Sequence, residues 1–422
     1  MATSTIFKAV NFRTLLRGIH RLGGFGGAIV LMAVVNVSVI PIVIRLAGAT
    51  VWGGIAVSQS VAAFGAILVA FGWATTGPSD VARLAPELRG QFYVDSVASR
   101  VWLFLLVLPV IVLIVWFVAP ANSLANSFAA LTLVLPALGA SWFFVGERSA
   151  WRMLLLETLP RALGTFGGAA LLILVGNVAL FTAAQAVGAF VSVVVSWINV
   201  TKRYRGYELN FGVFAAISRL PRQAGAMVTA STAALYITLP LVLIAAIAPQ
   251  MTAAYSVADK LMKFSLTAFS PVTQIAQGFV PSANSEVHRR RAKIAGIGAA
   301  NLGIIAGVFY AALAPLGAHV LSVHKIEVTM ALSIPLGIAL ASIITSEIVG
   351  LACLTSFGEI KRVAMSTVLG AVMGVPLLIV CAVQAGAVGI AWATAASQLI
   401  VALYQLVYFR RLVRRPTSGR LQ

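Results

Sequence analysis

The segment Tyr255-Ser256-Val257-Ala258-Asp259-Lys260-Leu261-Met262-Lys263 sets three charges into an otherwise apolar run. A charged side chain inside a lipid-embedded helix costs about 2.5–3.5 kcal/mol on insertion scales, so each needs a reason. Asp259 and Lys263 stand four apart, on one helical face, and can form an ion pair. Gln274 returns to the face of Lys263 after three turns, and Gln277 extends the polar stripe. Two readings fit. Either these groups form a functional site within the membrane, or Asp259 and Lys263 neutralise each other while Lys260 snorkels outward. Glu347, in Thr345-Ser346-Glu347-Ile348, has no basic neighbour within a turn. It fits a protonated packing residue, a partner for a charge on another helix, or an ion-coupling site. Arg45 reads most simply as an interface anchor, and Asn36, Gln59, Gln185 and Gln398 suit interhelical hydrogen bonds.

Enzyme signatures do not appear. His20, His288, His319 and His324 form no HExxH-type metal pattern, and no phosphate-cradling GxxxxGK[ST] loop is present. The sequence therefore predicts no metal, no cofactor and no catalytic centre. Any work done by the chain must draw on an ion gradient or on the substrate's own gradient. Cys353 and Cys381 lie in apolar segments without disulfide or metal spacing and read as packing residues.

The elements that must hold these residues follow from composition. The chain has 422 residues, 60% hydrophobic and only 10% charged, with a mean hydropathy of +0.99. A soluble domain carries roughly 25% charged residues, so this chain cannot cover itself in water. Apolar runs of spanning length fall at 25–46, 51–73, 100–119, 124–146, 159–176 and 178–200. Six more fall at 224–248, 252–281, 294–315, 328–352, 363–383 and 386–409. The expectation is an all-α polytopic membrane protein of about twelve spans. Prolines 41, 109, 136, 240, 271, 335 and 376 lie in or near spans and predict kinks. Residues 1–21 lack an apolar core and small-residue cleavage site, so the first span is expected to insert as an uncleaved anchor.

The net charge of +19 is distributed as a topology signal and not as a nucleic-acid surface. Counting alternate sides, 26 of the 30 basic residues fall on one. That side takes the N-terminus, Arg83, Arg89 and Arg100, then Arg148, Arg152 and Arg161. It continues with the 201–223 loop, Arg289 to Arg291 with Lys293, Lys361 and Arg362, and the tail. The opposite side has Arg45 and Lys325. This places both termini in the cytoplasm of a bacterial inner membrane. The expected parts are a basic amphipathic N-terminus (1–24), a first six-span lobe (25–200) and a basic inter-lobe loop (201–223). A second six-span lobe (224–409) and a basic tail (410–422) complete the chain. Residues 6–21 suit a helix lying on the anionic leaflet or a solvated positive flank. A reporter fused after Gln422 should be cytoplasmic, and one between Ala119 and Leu124 outside. A cytoplasmic signal from the second site would overturn the span map.

Several stretches resemble the Wzx-type flippases of polysaccharide biosynthesis, in the multidrug/oligosaccharidyl-lipid/polysaccharide exporter superfamily. Ile44-Arg45-Leu46-Ala47-Gly48, followed by Trp52-Gly53 and Ser58-Gln59-Ser60, is similar to that family's RLLG…(Y/F)G…SQS passage. Phe71-Gly72-Trp73 through Arg83 resembles its exit from span 2. Ser141-Trp142-Phe143-Phe144-Val145-Gly146-Glu147 resembles its W.FQG.E passage, and Tyr255 to Pro281 its span 8. The matches cover roughly residues 25–285. Ala47 and Val145 depart from the usual Leu and Gln.

The resemblance implies two six-helix lobes enclosing a central cavity that opens to alternate sides. The implied substrate is a polyprenyl-diphosphate-linked oligosaccharide, moved to the outer leaflet for cell-surface polysaccharide assembly. Lys260, Lys263, Arg45, Gln274 and Gln59 would then contact diphosphate and glycan, with Asp259 and Glu347 available for ion coupling. Membrane lipids, a glycan polymerase and glycosyltransferases are the implied partners. A cation-coupled multidrug or metabolite antiporter of the same superfamily is the competing transporter reading. A membrane glycan polymerase or ligase needs a reactive outer loop, and the outer loops here, such as Gly176-Asn177, are very short. A scaffold without transport would show a cavity lacking charges.

Overall fold

The computed structural model describes residues 12–282 and 284–414, with side chains from residue 27 onward apart from 29, 229, 232, 233, 235 and 236. The amphipathic stretch expected over 6–21 and the tail beyond 414 lie outside what is described at side-chain level. Every regular element among the described residues is helical. This follows from the solvent: in hydrocarbon only a structure that closes its own backbone hydrogen bonds can cross.

Nine helices among the described residues are long and apolar enough to span a bilayer. Ala224–Ile247 and Thr252–Phe279, of 24 and 28 residues, also have spanning length. The second carries Asp259, Lys260 and Lys263, which lower its hydropathy without shortening it. The last helix, Ile360–Arg414, has 55 residues, far beyond one crossing. It breaks at Ala385 (φ −137°) and Gly386 (φ 54°), where glycine adopts a left-handed conformation. Beyond the break the chain doubles back. Ser397 donates to the Gly370 carbonyl at 2.8 Å, and Gln405 donates to Ser366 Oγ at 2.8 Å. Residues 360–384 and 387–414 are thus spans 11 and 12 of an antiparallel hairpin, which brings the crossings to the expected twelve.

The ends of several helices differ from the sequence expectation. Arg89 and Arg100, and the run Arg289 to Arg291 with Lys293, were expected in loops. They lie on helices Pro86–Val118 and Ser285–Leu321. The reason is length: 33 and 37 residues make rods of about 50 and 55 Å, against a hydrocarbon core of about 30 Å. Asn284 starts the second of these by accepting from the backbone N–H of Glu286 (2.9 Å) and Val287 (3.1 Å).

The chain packs into two compact units. One takes the chain up to Ala47 together with Ser58–Ala234, and the other takes Gly48–Val57 together with the chain from Leu235. In the first, the 201–223 segment is docked and not a free linker. Arg219 pairs with Asp95 at 2.8 Å, Gln91 accepts from Glu208 N at 2.8 Å, and Trp102 donates to the Phe211 carbonyl at 2.8 Å. In the second, Ser285–Leu321 and Met330–Ile348 approach so closely that a Cβ on Gly307 would lie 2.5 Å from the Gly337 carbonyl oxygen. Small residues at such crossings let backbones pack without a hydrophobic drive between helices.

Candidate functional site

Span 8, Thr252–Phe279, places the charges of the second unit. Lys263 Nζ lies 2.5 Å from Asp259 Oδ2, and the Asp259 side chain is only 10% exposed against 38% for Lys263. The two charges are therefore cancelled within about one helical turn, which lowers the cost of carrying them. Lys260 lies on the same helix. Its ammonium sits 4.3 Å from the centroid of the Trp52 ring, a cation–π contact with a ring that is itself buried. Segment 48–57 is brought there by direct backbone packing: a Cβ on Gly53 would meet Ala253 N at 3.3 Å. Trp52 Nε1 and Thr252 Oγ1 are buried without a hydrogen-bond partner among the described residues. Tyr310 anchors the same turn by donating to the Ala258 carbonyl at 2.7 Å. Asp259, Lys260 and Lys263 together leave one positive charge in excess beside the Trp52 ring.

The remaining candidates from the sequence are placed as follows. Gln274 and Gln277 are exposed on the far half of span 8. Glu347 is half-buried on Met330–Ile348, a helix that packs on span 8, directly before the π-helical turn Val349–Leu354. It has no hydrogen-bond or ion-pair partner among the described residues. Arg45 is exposed at the end of Phe12–Ala47 and Gln59 is half-buried, both in the first unit.

Sequence reasoning missed a polar core in that first unit. Span 4 is broken: helix Ser123–Val134 gives way to a 3-10 turn at Leu135–Leu138, and the helix resumes at Ser141–Gly146. Pro136 has no N–H to continue the ladder, so the break frees backbone groups in the interior. Arg100, 1% exposed, takes the carbonyls of Ala137 (2.7 Å) and Gly139 (2.9 Å). It also donates to Ser96 O (3.2 Å) and Ser96 Oγ (3.0 Å), and stacks 5.4 Å over Trp142. Glu157, equally buried, accepts from Ala140 N at 2.5 Å and from Ser141 Oγ at 3.1 Å. Gly139 is required there, because a Cβ would lie 2.7 Å from both Glu157 oxygens. Glu157 is carried on the π-helical turn Met153–Thr158, a distortion that re-aims side chains and recurs at functional positions.

Below this core Glu147 is held in a bidentate pair by Arg203, at 3.0 and 2.8 Å, and by the Tyr204 hydroxyl. Burial, and then the Glu147 hydrogen bond and charge, push the Tyr204 hydroxyl above its ordinary pKa.

No protein-family model matches the sequence, and no curated relative matches it. The fold does match solved structures. One is an inward-facing multidrug resistance MATE family transporter of the MOP superfamily, at 15% identity and TM-score 0.62, over 90% of this chain and 98% of that one. Another is the lipid II flippase MurJ, inward closed, at 13% identity and TM-score 0.56, over 87% of each chain. A eukaryotic MATE transporter matches at 13% identity and TM-score 0.55, over 94% of this chain and 99% of that one. At these identities the likeness is one of fold: the chain has the multi-helix transporter fold those proteins share.

Proposed function

We propose that this protein is a membrane flippase that carries a polyprenyl-diphosphate-linked oligosaccharide across the inner membrane by alternating access. The observation that carries this reading is the sign of the charge on span 8. On that helix Asp259 is engaged by Lys263, while Lys260 is stacked on the buried Trp52 ring of the same unit. A surface of this kind suits an anion, and a diphosphate more than a lipophilic cation. The likeness to a lipid II flippase supports a lipid-linked substrate, and the motifs at 44–60, 141–147 and 255–281 support a glycan of the polysaccharide class. Inactivating the protein in its host should strip the surface polysaccharide and trap its lipid-linked precursor on the inner leaflet. Intact surface glycan together with new sensitivity to cationic drugs would overturn the proposal.

The antiporter reading is supported as well by the likeness to multidrug resistance MATE transporters, and by one residue. Glu347 is a half-buried carboxylate beside a π-helical turn with no partner among the described residues. In a flippase the same group serves to load and release a proton as access alternates. Glu347→Gln keeps volume and hydrogen bonding but cannot titrate. It should leave substrate binding intact and remove the dependence of transport on a proton gradient. Transport by E347Q that still follows the gradient would assign the carboxylate to packing.

A further inference from the structure

The open end of the span 11–span 12 hairpin holds a cavity of about 530 Å³ that plays no part in the site above. Arg362 enters it from the start of one helix, and Tyr404, Tyr408 and Arg411 enter from the end of the other. Arg362 lies 4.9 Å from the Tyr408 ring centroid, and the Tyr404 and Tyr408 hydroxyls flank its guanidinium. Among the described residues no acidic side chain lines the cavity. Two exposed arginines with two tyrosine hydroxyls present a fork of donors that matches the oxygens of a phosphate.

Position says where that phosphate comes from. The hairpin turns at Ala385 and Gly386, and both Arg362 and Tyr408 lie roughly 33–35 Å along their helices from that turn. That is about one hydrocarbon thickness, which sets the cavity at the headgroup layer of the opposite face, where tyrosines concentrate. Leu399, Leu403 and Val407 are 41%, 50% and 48% exposed and recur at four-residue intervals on the way back toward the turn. They form an apolar track that leads from the cavity into the membrane core, as an acyl chain below a headgroup requires. A soluble anion has no use for that track.

We propose that this cavity binds the headgroup of an anionic phospholipid, with Arg362 and Arg411 on its phosphate and an acyl chain along Leu399, Leu403 and Val407. The test is native mass spectrometry of the full chain titrated with dioleoylphosphatidylglycerol or dioleoylphosphatidylcholine. The wild type should retain the phosphatidylglycerol in preference. R362Q/R411Q should lose that preference by roughly thirtyfold, as expected for two cations near a charged headgroup. R289Q/R290Q, which removes the same charge from another helix start, should keep it. R411Q alone supplies the reading should the double variant fail to stay monodisperse. Undiminished preference in R362Q/R411Q, an equal loss in R289Q/R290Q, or displacement of the lipid by inorganic phosphate would each overturn the proposal.

Discussion

Arg100→Met should lower the thermal midpoint of the purified protein by about 10 °C, corresponding to a loss of about 3–5 kcal/mol. Methionine fills much of the same volume, so packing against Trp142 survives while the donors disappear. The Ala137 and Gly139 carbonyls at the break in span 4 then lie in the interior without partners, each costing about 1–3 kcal/mol. Ser96 also loses two bonds. Arg100→Lys is the discriminating control. It keeps the charge, but one ammonium cannot reproduce the fork that reaches Ala137, Gly139 and Ser96 together, so its loss should be intermediate. An unchanged midpoint in Arg100→Met would show that the break supports itself.

The second large effect is expected at Lys260. Lys260→Gln should reduce transport of an anionic lipid-linked substrate by about ten- to a hundredfold, the worth of one charge-assisted contact, with normal insertion and abundance. Lys263 behaves differently because it is committed to Asp259 at 2.5 Å. Lys263→Gln alone strands a nearly buried carboxylate beside Lys260 and should mimic loss of that cation. Adding Asp259→Asn removes the stranded charge and should restore transport. Rescue of K263Q by D259N therefore separates a pair that only neutralises itself from a cation that meets substrate. Equal, unrescued loss in all variants would assign the whole cluster to folding, and near-normal transport by K260Q would remove Lys260 from the site.

Much of the architecture was legible in the chain because hydrocarbon leaves so few options for a backbone. Apolar runs separated by Gly176-Asn177, or by the short gap between 383 and 386, read directly as paired crossings. The Asp259–Lys263 pair was legible for the same reason, as a contact within a single helical turn. Arg100 was not. An arginine at the end of an apolar run is ordinarily a flanking charge, and its burial depends on carbonyls freed in another span. Glu157 was hidden among leucines, and its role depends on a π-helical turn that periodicity does not reveal. Lys260 read as either snorkelling or functional, because the Trp52 ring that receives it belongs to a distant part of the sequence. What the sequence hides here is tertiary pairing of polar groups, and what it exposes is solvent-driven segmentation.

The most direct test is translocation by the purified chain in phosphatidylcholine–phosphatidylglycerol vesicles. A fluorescent polyprenyl-diphosphate oligosaccharide placed in one leaflet should reach the other at a rate set by protein content, and K260Q should cut the protein-dependent part by about ten- to a hundredfold. Competition by a soluble diphosphate-glycan, and none by a lipophilic cation, should accompany it. Equal rates in vesicles with and without protein, or protein-dependent uptake of the lipophilic cation alone, would contradict a lipid-linked glycan flippase.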